Sequence, residues 1–139
     1  EFAVTIPEIG RVAAQTPPAV IVTSNRTREL HDALKRRCLY HWVEHPGLAR
    51  EIEIVRRRLP QVPPELAAQV ARATARIRSR TDLLKPPGVA ETLDWAAALH
   101  ALGAADLDLE RAALSLGAVL KYREDAERVR ASLAAIVAA

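Results

Sequence analysis

Methionine does not occur in this sequence, cysteine occurs once, and the aromatic residues are two Trp, two Tyr and one Phe. Each shortage excludes something. A natural product opens with methionine, so the chain is expected to start inside a longer gene or to be cut from one. The single cysteine, Cys38, rules out an internal disulfide framework and fits a reducing cytoplasm. So few aromatics leave little for stacking nucleic-acid bases. No apolar run approaches the length of a membrane span, and no signal peptide opens the chain. The sequence has no G-x-x-x-x-G-K-[ST] loop to cradle a phosphate, no G-x-G-x-x-G, no G-x-S-x-G and no C-x-x-C.

What is present favours helices. The 139 residues suffice for one ordinary domain or two small ones, and half are hydrophobic, so a core can form. Alanine and leucine supply much of that half, while β-branched residues concentrate near the N-terminus. The net charge of +3 arises from 20 basic and 17 acidic residues in mixture. That is not the one-sided basic field usual in phosphate binding.

The period changes along the chain. Val4-Thr5-Ile6 and Arg11-Val12-Ala13-Ala14 flank Pro7-Glu8-Ile9-Gly10, which predicts a β-hairpin. After Pro17 and Pro18, Ala19-Val20-Ile21-Val22 is apolar without alternation and predicts a strand covered on both faces. Residues 27–37 read as a short helix and Leu39 to Val43 as a further strand. From residue 48 the spacing becomes helical. Five stripes follow: Leu48, Ile52, Val55 and Leu59; Leu66, Val70, Ala73 and Ile77; Trp95, Leu99 and Leu102; Leu109, Ala112, Ala113 and Leu116; and Ala126, Val129, Leu133 and Ile136. Asp108 is placed to cap the fourth helix and Gly103 to stop the third.

Few residues suggest chemistry. His31, Cys38, His41 and His45 are the best metal candidates, but a strand over 39–43 would point Cys38 and His41 to opposite faces, so they read as ordinary surface residues. Arg56-Arg57-Arg58 reads as the solvated face of a helix. Asn25 stands just past the predicted buried strand, where α/β sheets carry ligand chemistry, and can either hold a water near a phosphate or simply turn the chain. Arg36 and Arg37 end the following helix, where they can reach a neighbouring subunit's phosphate or complement the helix C-terminus.

Taken together, Ala19-Val20-Ile21-Val22-Thr23-Ser24-Asn25-Arg26, Leu30 and Ala33-Leu34-Lys35-Arg36-Arg37-Cys38-Leu39 resemble the sensor-1 strand and arginine-finger helix of AAA+ ATPases. Val4-Thr5-Ile6-Pro7-Glu8 resembles the pre-sensor-1 hairpin of the MoxR branch. Pro86-Pro87-Gly88-Val89-Ala90-Glu91-Thr92-Leu93-Asp94-Trp95 is similar to a lid segment of CoxD-like members. The likeness covers residues 1–100; beyond them it rests on helical character.

The resemblance implies a mostly α chain. A hairpin (1–16) and the C-terminal end of an AAA+ α/β core (17–46) would precede a helical lid bundle (47–139). It implies Asn25 as sensor 1 and Arg37 as the arginine finger acting on the adjacent subunit, with Arg36 a weaker match because related sequences often carry an acidic residue there. Many lids open the third helix with G-x-S-x-R; here Gly88 starts that pattern and Thr92 stands in the arginine's place, which puts direct γ-phosphate contact in doubt. ATP and Mg2+ would be held by Walker motifs ahead of residue 1, so the chain alone is expected neither to bind nor to hydrolyse ATP. Implied partners are identical subunits in a hexameric ring, and a client metalloenzyme or its assembly factors. CoxD-like proteins are associated with assembling the active site of a molybdenum- and copper-dependent dehydrogenase. The rival expectations are a helical interaction module without ATP, and a nucleic-acid binder using Arg50, Arg56, Arg57, Arg58, Arg72, Arg76, Arg78 and Arg80.

Overall fold

The Pro7–Ile9 turn closes the expected hairpin. A computed structural model describes residues 2–24 and 30–138. In it β1 (Ala3–Ile6) pairs antiparallel with β2 (Gly10–Ala13), with Val4 opposite Val12 and Ile6 opposite Gly10. Gly10 has φ +83°, the left-handed conformation that a three-residue hairpin loop needs at its end. Phe2, Val4, Ile6 and Val12 fall on one face by alternation. The chain divides into two compact units, Glu1–Trp42 and Val43–Ala139. The hairpin and α1 (Asp32–Lys35) belong to the first.

Two expected strands do not form. Residues 19–24 are irregular and exposed, with Ile21 91% accessible, and residues 39–43 are irregular and exposed as well. A β-branched apolar run becomes a strand only when neighbours supply ladder partners and cover. Among the described residues, β1 and β2 are the strands, and they pair with each other. Of the helix expected over 27–37, the described residues form a single turn capped by the His31 Nδ1, which accepts from the Ala33 N–H at 3.2 Å. Residues 25–29 lie outside the described residues.

The second unit is helical throughout. It comprises α2 (Leu48–Arg58), α3 (Pro64–Arg78), α4 (Val89–Ala101), α5 (Leu109–Leu114), α6 (Leu116–Val119), α7 (Arg123–Arg130) and α8 (Leu133–Val137). Local chemistry sets its boundaries. Pro64 opens α3, where a missing N–H costs nothing. Gly103, at φ +74°, ends α4 in a Schellman arrangement: the Ala104 N–H donates to the Leu99 carbonyl and the Gly103 N–H to that of His100. Asp108 caps α5 by accepting from the Arg111 N–H at 2.8 Å.

The stripes become one core. Val55, Leu66, Val70, Ile77, Trp95, Leu99, Ala112, Leu116, Val129, Leu133 and Ile136 are buried together. α2, α3 and α4 pack on one another, α6 lies on α4, and α8 lies between α3 and α5. The fourth and fifth stripes differ from expectation in being broken. Ser115 stands between α5 and α6, its hydroxyl donating to the Arg111 carbonyl while accepting from the buried Trp95 Nε1 at 2.9 Å. Ser132 separates α7 from α8, its hydroxyl accepting from Arg80 at 2.6 Å. Each hydroxyl also donates to a carbonyl of the preceding turn, a back-bond that tends to bend helices.

Candidate functional site

The polar centre of the second unit is a carboxylate in the wrong place for an ordinary amphipathic helix. Glu51 stands one turn before Val55 on α2, and both are fully buried. Arg78, the last residue of α3, meets it with two parallel bonds: Nη1 to Oε2 and Nη2 to Oε1, each 2.8 Å. The Thr92 hydroxyl, from the first turn of α4, donates to Oε1 at 2.6 Å. Arg78 Nε donates to the Pro87 carbonyl at 2.7 Å, so the same guanidinium also holds the loop that leads into α4. Fork-to-fork geometry of this kind is the strongest form of a charge-assisted pair.

Electrostatics follow the geometry. Burial pushes the Glu51 carboxyl up, but hydrogen bonds from Arg78 and Thr92, with the charges of Arg78 and His45, outweigh it and hold the group below its ordinary value. Glu51 is therefore a carboxylate sealed from solvent with its oxygens occupied. It locks α2, α3 and the start of α4 together rather than offering a base to a substrate.

The connection between α3 and α4 is held at a second point. Asp125, buried on α7, accepts from the Leu84 N–H at 2.8 Å and the Lys85 N–H at 3.0 Å. Arg128 donates to the Asp82 carbonyl at 2.6 Å. Glu91 completes the entry to α4 by accepting from the Gly88 N–H at 2.9 Å. Burial raises the Glu91 pKa, and backbone hydrogen bonds with the charges of Lys85 and Lys121 bring it below its ordinary value.

The residues singled out in the sequence are distributed as follows. Thr92 is fully buried, its hydroxyl shared between Glu51 and the Gly88 carbonyl. Gly88 sits where a Cβ would meet the Glu91 carboxylate at 3.1 Å. Arg36 and Arg37 are exposed in the first unit, in the turn that ends α1, with the Arg37 N–H donating to the Leu34 carbonyl. Asn25 lies outside the described residues. Cys38 is exposed, and among the described residues no three His, Cys, Asp or Glu side chains converge as metal ligands. The arginines proposed for nucleic acid mostly face acids: Arg50 and Arg57 pair with Glu53, Arg72 with Glu65, Arg78 with Glu51, and Arg80 with Asp82.

Sequence reasoning singled out neither Glu51 nor Asp125, and named Arg78 only as a possible nucleic-acid contact. A signal for the first was present, since Glu51 and Val55 are four apart and so share a helix face. Among the described residues no helix is long and apolar enough to cross a membrane. No protein-family model, curated protein or solved structure compared with the chain matches it.

Proposed function

We propose that this chain is the C-terminal part of a MoxR-type AAA+ ATPase, supplying sensor 1, the arginine finger and the lid for ATP-driven remodelling, with metalloenzyme maturation as the task. On this reading Asn25 positions the attacking water. Arg37 reaches the γ-phosphate bound by the next subunit of a hexameric ring, a contribution worth about 10³–10⁵ in rate. ATP and Mg2+ are held by segments ahead of Glu1, and the chain alone turns over no ATP.

One observation carries the reading. Val20, Ile21 and Val22, and then Leu39, Tyr40 and Trp42, are exposed apolar runs with strand composition, standing on either side of the finger-like segment. Contiguous exposed apolar chain of this kind calls for cover. The end of an α/β core has this character when its partner strands lie elsewhere. On this reading the sensor-2 position is held by Thr92, an uncharged residue that is buried against Glu51. Ion-paired arginines lend the nucleic-acid alternative little support.

The test is the coding sequence immediately ahead of Glu1. A G-x-x-x-x-G-K-[ST] loop followed by an acidic strand end is expected there. Its absence from the parent protein would end this reading.

A further inference from the structure

We propose that Asp125 is a latch: its grip on the loop between α3 and α4 keeps α7 and α8 docked, and when it lets go these two helices leave as one piece while α2, α3 and α4 stay folded. The inference does not depend on the functional reading above.

α7 and α8 are short. They have eight and five residues, lengths at which a helix has almost no stability of its own. Docking must supply it. The apolar part comes from Val129, Leu133 and Ile136. Arg76 of α3 donates to the Ile136 carbonyl at 2.8 Å, and further polar contacts converge on one loop. Asp125 takes the adjacent N–H groups of Leu84 and Lys85, Arg128 reaches the Asp82 carbonyl, and Arg80 reaches back to Ser132 at 2.6 Å. A fully buried carboxylate is costly unless hydrogen-bonded, and Asp125 obtains its backbone donors only when the helix pair is seated. Docking and loop geometry are therefore mutually dependent.

The other end of the loop is anchored separately. Arg78 holds the Pro87 carbonyl and Glu51 at once, so release at Asp125 leaves the start of α4 tied to α2 and α3. Two independent anchors on one loop divide the unit into a piece that opens and a piece that remains. Cooperative sub-global openings of this kind are read by amide exchange.

The experiment is native-state hydrogen exchange of the whole chain by NMR, at several low urea concentrations. The Leu84 and Lys85 amides are expected to share one opening isotherm with the amides of α7 and α8, exchanging at least about 10-fold faster than Val70, Ile77 and Leu99. In Asp125→Asn, which keeps the shape but loses the charge and turns one of the two accepting oxygens into an NH2 donor, exchange at Leu84 and Lys85 should rise roughly 10- to 100-fold while Val70 and Ile77 change little. If the variant does not fold, the wild-type isotherms still decide. Leu84 and Lys85 opening with the α3 and α4 amides, or independently of α7 and α8, would overturn the proposal. So would Asp125→Asn accelerating every amide equally.

Discussion

Glu51 and Arg78 face each other at the joint of α2 and α3 through two 2.8 Å bonds, with the carboxylate fully buried and the guanidinium side chain 14% exposed. An ion pair this deep is weak evidence of net stability, because desolvation offsets much of the attraction. Breaking it is another matter. Arg78→Ala leaves a buried, uncompensated carboxylate and frees the Pro87 carbonyl, so the variant should lose about 3–5 kcal/mol in urea denaturation. The double variant Glu51→Leu, Arg78→Met should lose distinctly less than Arg78→Ala. Equal losses in the two would mean that the pair matters through its packing rather than its charge.

The same carboxylate sets a pH dependence. The folded pKa of Glu51 lies below its ordinary 4.5, so the folded state binds this proton more weakly than the unfolded chain does. The stability it contributes is therefore complete above pH 4.5 and is lost as the pH falls through the folded value. Asp82, held down mainly by its bond from Arg80, and Asp108, held down mainly by the Arg111 N–H, act in the same direction at the surface, where salt screens them. Stability measured from pH 6 down to about 3 should fall more gently in Glu51→Gln than in the parent. Parallel curves would show that Glu51 is not a main source of acid sensitivity.

Thr74 offers the opposite kind of test. Its hydroxyl is buried on α3, one turn before Arg78, and among the described residues it has no hydrogen-bond partner. A buried hydroxyl left unmade costs free energy that a methyl of similar shape does not. Thr74→Val should stabilise the chain by about 1 kcal/mol, raising the melting temperature of a unit this size by roughly 4–8 °C. A destabilised variant would show that the hydroxyl finds a partner in solution.

The core was legible and its polar lock was not. Leu66, Val70, Ala73 and Ile77 announce their helix face by spacing alone, and all four are buried on α3. Asp108 and Gly103 mark helix ends because an N-cap oxygen and a left-handed glycine act locally. Glu51 passes for a solvated charge until its partners are known, and those lie on α3 and α4, 27 and 41 residues away. Asp125 is likewise explained only by a loop some 40 residues earlier. The runs at 19–22 and 39–43 erred in the other direction. Their composition specifies a strand, but a strand also needs neighbours, and composition says nothing of where those are. Of the proposed nucleotide-facing residues, Thr92 turned inward to Glu51, a contact between helices that its local pattern does not contain.

The claim that Arg37 serves a neighbouring subunit is open to one direct measurement in the full-length parent protein. Arg37→Ala should retain ATP binding and lose turnover, and so should a variant lacking its own acidic Walker residue but keeping Arg37. Mixed in subunit-exchanging rings, the two should recover part of the lost turnover, because some interfaces then pair an intact site with an intact finger. No recovery at any mixing ratio, or an Arg37→Ala protein that still hydrolyses ATP at the parent's rate, would contradict the account.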